Sequence, residues 1–362
     1  MLTETFPGTT RAPWPAIGKI AVLRANRIGD FVVTLPALTA LRAAYPDAEI
    51  VLFGRRWHAD FLAERPGPID RVVPIPPYHG VGEPEEHRDD PALLDRFFAA
   101  MAAERFDLAL QLHGGGGNSN PFIRKLGARH TAGLRAEGAP PLDRWLPYVR
   151  DQVEIVRYLE VVGLVGAAPV GLQPHLAVTA ADRDEALAAL PPDDRPLVAI
   201  HPGATDPRRR WSAAHFAAVG DVLAARGARV VLVGDAGERA LTATVARLMA
   251  ASPPDLAGRL SLGGLLGLLA RCHLALGNDS GPRHLAEAVG TATVSVYWGR
   301  NLLHYGPLGR ARHRPLASWR DNCPICGGGI DASCGHQVSW VDDVPVSAAL
   351  DAALSLLATA QK

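Results

Sequence analysis

The sequence predicts an α/β protein of two similar domains, each a parallel sheet covered by helices. Three observations carry that prediction. Short apolar runs of strand length alternate with longer segments whose apolar residues recur at helical spacing. The alternation occurs twice, on either side of a Gly- and Pro-rich stretch at residues 169–174. At 362 residues, the chain also exceeds what one hydrophobic core ordinarily supports.

In the first half, residues 19–24 (KIAVLR) form an apolar run that ends in a polar loop, and residues 34–45 (TLPALTALRAAY) then follow helical periodicity. Further buried strands are expected at 49–53, 71–75 and 107–112. The second half opens with PLVAI at 196–200 and continues with the strand 229–233, helices near 237–250 and 262–270, and strands at 273–277 and 293–297. Strands separated by helices are parallel, because each crossover lays its helix on a face of the sheet. The domains are placed at residues 1–175 and 176–362, and the Ala- and Leu-rich helix at 346–358 suits either of them.

Composition narrows the function. Hydrophobic residues make up 48% of the chain and charged residues 20%, which fits a soluble globular enzyme. With 37 Lys and Arg against 37 Asp and Glu, there is no excess positive charge to attract nucleic acid. The N-terminal residues lack the apolar core of a secretory signal, and the apolar stretch at 262–276 is interrupted by Arg271 and His273. These features predict a cytoplasmic protein whose membrane contact, if any, is peripheral to the inner membrane.

The chemistry is expected in the loops that follow the strands, since ligands of open α/β sheets bind at the carboxyl ends of strands. After the first strand comes RANRIGD (residues 24–30), with Gly29 at the turn and Asp30 at a helix entrance. Asp30 suits a general base there and equally suits an N-cap. The strand at 273–277 runs into Asn278, Asp279, Ser280, Gly281, Pro282, Arg283 and His284. A helix start of small residues presents unpaired N–H groups and a positive dipole end to a diphosphate, although the same residues also make an ordinary cap. After the strand at 196–200 lies HPGATDPRRRW (201–211), where Gly203 and Thr205 suit close approach to a phosphate and an arginine suits its charge. The three arginines are also compatible with a solvated charge run. Glu238, in the loop after residue 233, offers a carboxylate to a ribose diol.

Taken together and in this order, these motifs resemble glycosyltransferase family 9, the lipopolysaccharide heptosyltransferase family. The residues that carry the resemblance are RIGD with LPAL at 27–30 and 35–38, HPG with Arg209 and Trp211, and NDSGP with His284. It implies a GT-B architecture, in which two Rossmann-like domains face an interdomain cleft. The first domain would take a glycan or glycolipid acceptor and the second a nucleotide-diphosphate sugar, with ADP-heptose favoured. It also implies inverting transfer with Asp30 as catalytic base and no cofactor required for catalysis. Donor binding would fall to Gly203, Thr205, Arg209, Glu238, Asp279, Ser280, Gly281 and His284. Arg209 stands where the family usually has lysine, which keeps the charge but exchanges a point charge for a planar fork. On the acceptor side the expected residues are Arg27, together with His113 and Asn118 in a flexible polar loop at 113–120 that equally suits an ordinary crossover. Residues 78–90 read as a flap or a surface excursion. Competing classes are an inactive nucleotide-sugar binder and a nucleotide-sugar epimerase or hydrolase, although the dinucleotide loop and Tyr-x-x-x-Lys pair of an NAD-dependent epimerase are absent.

Three cysteines stand apart from this machinery. Cys323, Cys326 and Cys334, with His336, offer three sulfurs and an imidazole within 14 residues, a donor set suited to structural zinc. Thiols or a local disulfide remain the alternatives.

Overall fold

The structure, a computed structural model, describes residues 11–329 and 335–360. The chain forms two compact units, Met1–Pro174 and His175–Lys362.

In the first unit, β1 (Lys19–Leu23), β2 (Glu49–Gly54), β3 (Arg71–Pro74), β6 (Leu108–Gln111), β7 (His130–Arg135) and β8 (Arg144–Pro147) build one parallel sheet in the order β3-β2-β1-β6-β7-β8. A small separate pair, β4 (Tyr78–His79) and β5 (Gly82–Glu83), lies between β3 and β6 in sequence. Ile20, Ala21, Val22 and Leu23 are all buried because helices cover both faces of the sheet. One face packs Leu23, Phe53, Phe98, Phe106 and Phe122 into an aromatic cluster. The chain moves outward from β1 to β3 and then returns to the other side of β1 with β6, so the strand order reverses between β1 and β6. At such a reversal the loops diverge and leave a crevice.

The second unit repeats the plan. β9 (Leu197–His201), β10 (Arg229–Leu232), β11 (Leu274–Asn278), β12 (Ala292–Trp298) and β13 (His313–Ser318) run parallel in the order β10-β9-β11-β12-β13. Outside β10, Leu232 bridges Asp255 in parallel, with Leu232 N–H donating to Pro254 O and Leu256 N–H to Leu232 O, each at 2.9 Å. Counting that rudimentary strand, the second sheet has the strand order of the first. Its reversal falls between β9 and β11.

The last helix, Val346–Ala360, packs on the second unit: Ala349, Ala353 and Leu356, spaced four and three apart, are buried against its core with Phe216, Leu276 and Val294. Two expectations for the first unit need correction. The loop at 113–120 is anchored, with His113, Ser119 and Asn120 buried. Gln111 Nε2 donates to the His113 carbonyl at 2.7 Å, and Asn120 Nδ2 donates to the Leu134 and Pro140 carbonyls at 3.1 and 2.8 Å. Nor is residues 78–90 a mere excursion: Tyr78 and Val81 sit in the aromatic core. Among the described residues no helix is long and apolar enough to cross a membrane.

Candidate active site

At the carboxyl end of β1 the chain places a buried arginine. Arg24, 1% exposed, donates through Nη1 to the Leu112 carbonyl and the Tyr158 hydroxyl, each at 2.7 Å. Its Nε donates to the Asp30 carbonyl at 2.9 Å and its Nη2 to Asp30 Oδ1 at 3.2 Å. The Tyr158 hydroxyl in turn donates to Glu154. Arg24 therefore ties the loop after β1 to the loop after β6 and sets the direction of the Asp30 carboxylate.

Asp30 itself is the third residue of the one-turn helix Ile28–Val32, whose N-cap is Arg27. Asp30 Oδ2 accepts from the Arg27 N–H at 3.3 Å, the reciprocal half of a capping box rather than an N-cap. The side chain keeps 20% of its surface exposed.

The acceptor-side residues separate in the structure. Arg27 is exposed, and Asn118 lies against Gly80, where an added Cβ would come within 2.0 Å of its Nδ2. His113 is buried, and its Nδ1 accepts from the Ala25 N–H at 3.3 Å. Burial and the nearby Arg24 charge hold the ring down to about 3, so it is a neutral strut between loops.

His58, fully buried beside Phe31, is held down to about 3 by burial as well, and its Nδ1 accepts from the Arg55 N–H at 3.0 Å. These two rings give a pH prediction. Both are neutral when folded and titrate at an ordinary 6.5 when unfolded, so between pH 6.5 and 3 the unfolded chain binds more protons. Stability therefore falls as pH falls through that window, by at most about 1.4 kcal/mol per pH unit for each ring. Thermal melts from pH 7.5 to 5 should show a shallower slope for His58→Asn, which keeps an acceptor for Arg55. An unchanged slope would mean that His58 does not contribute.

In the second unit, Asn278 at the end of β11 clamps the loop after β9. Its Nδ2 donates to the Pro202 carbonyl at 2.8 Å, and its Oδ1 accepts from the Trp211 N–H at 3.0 Å. Trp211, 1% exposed, anchors the far end of the loop, its indole donating to the Val344 carbonyl at 3.0 Å. The clamped loop sorts the three arginines. Arg208 pairs with Asp206 at 2.7 Å and Arg210 Nε donates to the Ala204 carbonyl at 2.8 Å. Arg209 alone of the three reaches the start of the helix Gly281–Ala288, its Nη1 donating to Asp279 Oδ2 at 3.3 Å.

Asp279 is 3% exposed and also accepts from Asn301 Nδ2 at 2.7 Å. Burial pushes its carboxyl up, but the His284 ring, the Arg283 charge and the Asn301 amide outweigh burial and hold it below the usual range. Its Oδ2 holds Arg209 Nη1 beside the start of the helix. His284 is buried beneath it, with Nε2 3.6 Å from Asp279 Oδ1 and Arg283 Nη2 2.7 Å from the same ring nitrogen.

Ser280 is the N-cap residue of Gly281–Ala288, yet its side chain makes no cap bond; its Oγ lies 3.1 Å from the Asn278 carbonyl oxygen and 3.0 Å from His201 Nδ1. Pro282 in the first turn needs no N–H partner. The open helix start and Arg209 together make a positive corner suited to an anion.

Thr205 is exposed on the loop, while Gly203 is buried for a reason the sequence did not suggest. A Cβ there would lie 1.7 Å from Glu238 Oε1, so glycine makes room for that carboxylate. Burial pushes the Glu238 carboxyl up, but the hydrogen bond and charge of His201 outweigh it and hold the group below its usual range. Sequence reasoning overlooked Arg24, His201, Asn278 and Asn301 as site residues. The first three are polar residues at or just past strand ends, a signal that was available; Asn301 has none.

Elsewhere in this unit, ligand atoms of Cys323, Cys326 and His336 lie within 4.8 Å of one another. Cys334 lies outside the described residues.

Comparison with known proteins bears on this arrangement. The sequence model of glycosyltransferase family 9 (heptosyltransferase) matches residues 94–321, well over half of the chain. The lipopolysaccharide heptosyltransferase 2 of Salmonella typhimurium is 28% identical over 301 residues, which cover 77% of this chain and 82% of the relative. The lipooligosaccharide heptosyltransferase 2 of Haemophilus influenzae is 24% identical over 309 residues, covering 80% and 86%. A family 9 glycosyltransferase structure from Veillonella parvula superposes with a TM-score of 0.80 at 22% identity, covering 96% of this chain and all of that one. The Escherichia coli ADP-heptose LPS heptosyltransferase II gives 0.74 at 21%, covering 95% and 100%. The fold shared with these structures is GT-B.

Proposed function

Because the chain belongs to glycosyltransferase family 9, we propose that it is an inverting heptosyltransferase moving heptose from ADP-heptose to a hydroxyl of a lipopolysaccharide acceptor. The observation that supports this reading best is the location of the motifs. In each unit they converge where the strand order reverses, Asp30 after β1 and the Arg209 corner after β9 and β11.

In the proposed reaction, Asp30 accepts the proton of the acceptor hydroxyl, whose oxygen bonds the anomeric carbon as the bond from that carbon to the diphosphate breaks. The electron pair leaves with the diphosphate. Arg209 and the N–H groups at the start of Gly281–Ala288 stabilise the charge that develops there. Glu238 takes the ribose, and the first unit takes the acceptor. A glycolipid acceptor brings the enzyme to the cytoplasmic surface of the inner membrane, a peripheral contact.

A thermal-shift panel of ADP, UDP, GDP, TDP and CMP tests the donor. ADP should raise the melting temperature most, since a ligand at a hundred times its dissociation constant stabilises the native state by about 2.7 kcal/mol. A response to none of the five would overturn the donor assignment, and a larger response to another nucleotide would replace ADP.

The Cys323, Cys326 and His336 cluster fits a structural zinc. Cys323 is 2% exposed, and its chain reverses sharply, with the Gly327 N–H donating to the Cys323 carbonyl at 2.9 Å. Two ligands on one tetrahedral zinc sit about 3.3–3.8 Å apart, and Cys323 Sγ lies 3.6 Å from His336 Nδ1. Protein purified without chelator should carry close to one equivalent of zinc, lost in Cys323→Ser together with some thermal stability. Less than about a tenth of an equivalent would dispose of the site.

A further inference from the structure

His201, the last residue of β9, is buried and has an oxygen at each ring nitrogen. Its Nδ1 lies 3.0 Å from Ser280 Oγ and its Nε2 lies 2.9 Å from Glu238 Oε2. Nε2 faces a carboxylate, so it carries the hydrogen and donates it. Oε2 also accepts from the Asp235 N–H at 3.0 Å. With two donors fixed on Oε2, the remaining acceptor atom is Oε1, held in the space that a side chain at position 203 would fill. Three loops, those after β9, β10 and β11, are thus joined through one imidazole.

We propose that His201 is a positioning residue: it aims Glu238 Oε1 at the ribose diol of the bound nucleotide and thereby sets discrimination for the 2′-hydroxyl. The proposal rests on the donor reading above. A carboxylate free to rotate on its two-methylene stem would lose most of its preference for one hydroxyl geometry, whereas one pinned by two donors keeps it. The link to Ser280 registers that carboxylate to the start of Gly281–Ala288. The ribose and diphosphate ends of the donor are then held at a fixed separation.

The ring's two ends can be tested separately by calorimetric titration of the full-length protein with ADP and 2′-deoxy-ADP. The wild type should prefer ADP by about 10- to 100-fold, the loss expected for one hydrogen bond to a charged acceptor. His201→Gln places an amide near the Nε2 position, still donates to Glu238, and should keep most of that preference. His201→Asn places its amide near Nδ1, keeps Ser280 but not Glu238, and should reduce the preference to about threefold or less. Affinity for 2′-deoxy-ADP should change less than about twofold in either variant. A full preference in His201→Asn, or an equal loss of both ligands in His201→Asn and His201→Gln, would overturn the proposal, since a purely structural histidine gives no such split. A wild type that binds ADP and 2′-deoxy-ADP equally would overturn it too. A wild type that binds neither would overturn the donor reading and the proposal with it.

Discussion

Asp30→Asn should reduce turnover about 10²–10⁴-fold, the usual span for loss of a general base, while ADP binds within about twofold of the wild type. Asparagine is the informative replacement. Its amide oxygen can still accept from Arg24 Nη2, which lies 3.2 Å from Asp30 Oδ1, and only the 3.3 Å bond from the Arg27 N–H to Oδ2 is given up. What it cannot do is accept a proton. Asp30→Ala is less clean, because it removes both side-chain oxygens, including the one that accepts from the buried Arg24 guanidinium. A stability loss in the alanine variant therefore says nothing about the base. Donor affinity serves as the control, since the proposed donor site is built from the other unit. Steady-state transfer with both variants, alongside melting curves, separates the roles. If Asp30→Asn transfers sugar at the wild-type rate, Asp30 is only the reciprocal partner of Arg27 and the proton goes elsewhere.

The fold was legible in the sequence wherever a strand is buried on both faces. β1, β2, β6, β9, β10, β11 and β12 read as apolar runs because helices cover each side of them. β7, β8 and β13 were overlooked. HTAGLR, RWLP and HRPLAS carry arginine, histidine or proline and are partly exposed, so neither apolar continuity nor strict alternation marks them. Two of the three, β8 and β13, lie at sheet edges, where one side makes no ladder and the sequence is least constrained.

The site was legible as motifs and illegible as contacts. Asp30, Arg209, Ser280 and Glu238 stand out because each follows a strand and belongs to a recognisable run. What positions them comes from far along the chain. Arg24 is 88 residues from the Leu112 carbonyl it binds, and His201 is 79 residues from Ser280. Strand order brings those pairs together, and strand order is what a linear pattern does not specify. Gly203 carries a constraint that its motif does not show: its missing side chain admits a carboxylate of the protein itself. His113 was selected as a polar loop residue and His284 as part of the donor-binding turn, and both are buried in networks internal to the fold.

Arg209→Ala should weaken ADP binding by about 10- to 150-fold and leave adenosine binding within about twofold, because a charge-assisted contact is worth about 1.5–3 kcal/mol and adenosine has no phosphate to use it. The geometry gives Arg209 that role over its neighbours. Arg208 and Arg210 are engaged by Asp206 and the Ala204 carbonyl, whereas Arg209 leans on Asp279 at the start of Gly281–Ala288 with 20% of its side chain exposed. A single 3.3 Å contact leaves most of the guanidinium fork for a second anion. Turnover should fall further than affinity, since the leaving diphosphate gains charge as the bond to the sugar breaks. Arg209→Lys should recover part of the binding, as it restores the charge without the fork. Asp279→Asn should weaken ADP binding less than Arg209→Ala does: the guanidinium stays but loses its ionic brace, while Asn301 keeps an amide partner. Calorimetric titration of the three variants with ADP and adenosine measures each difference. Equal loss of both ligands in Arg209→Ala would move Arg209 away from the phosphates and leave the helix start as the sole anion contact in this corner.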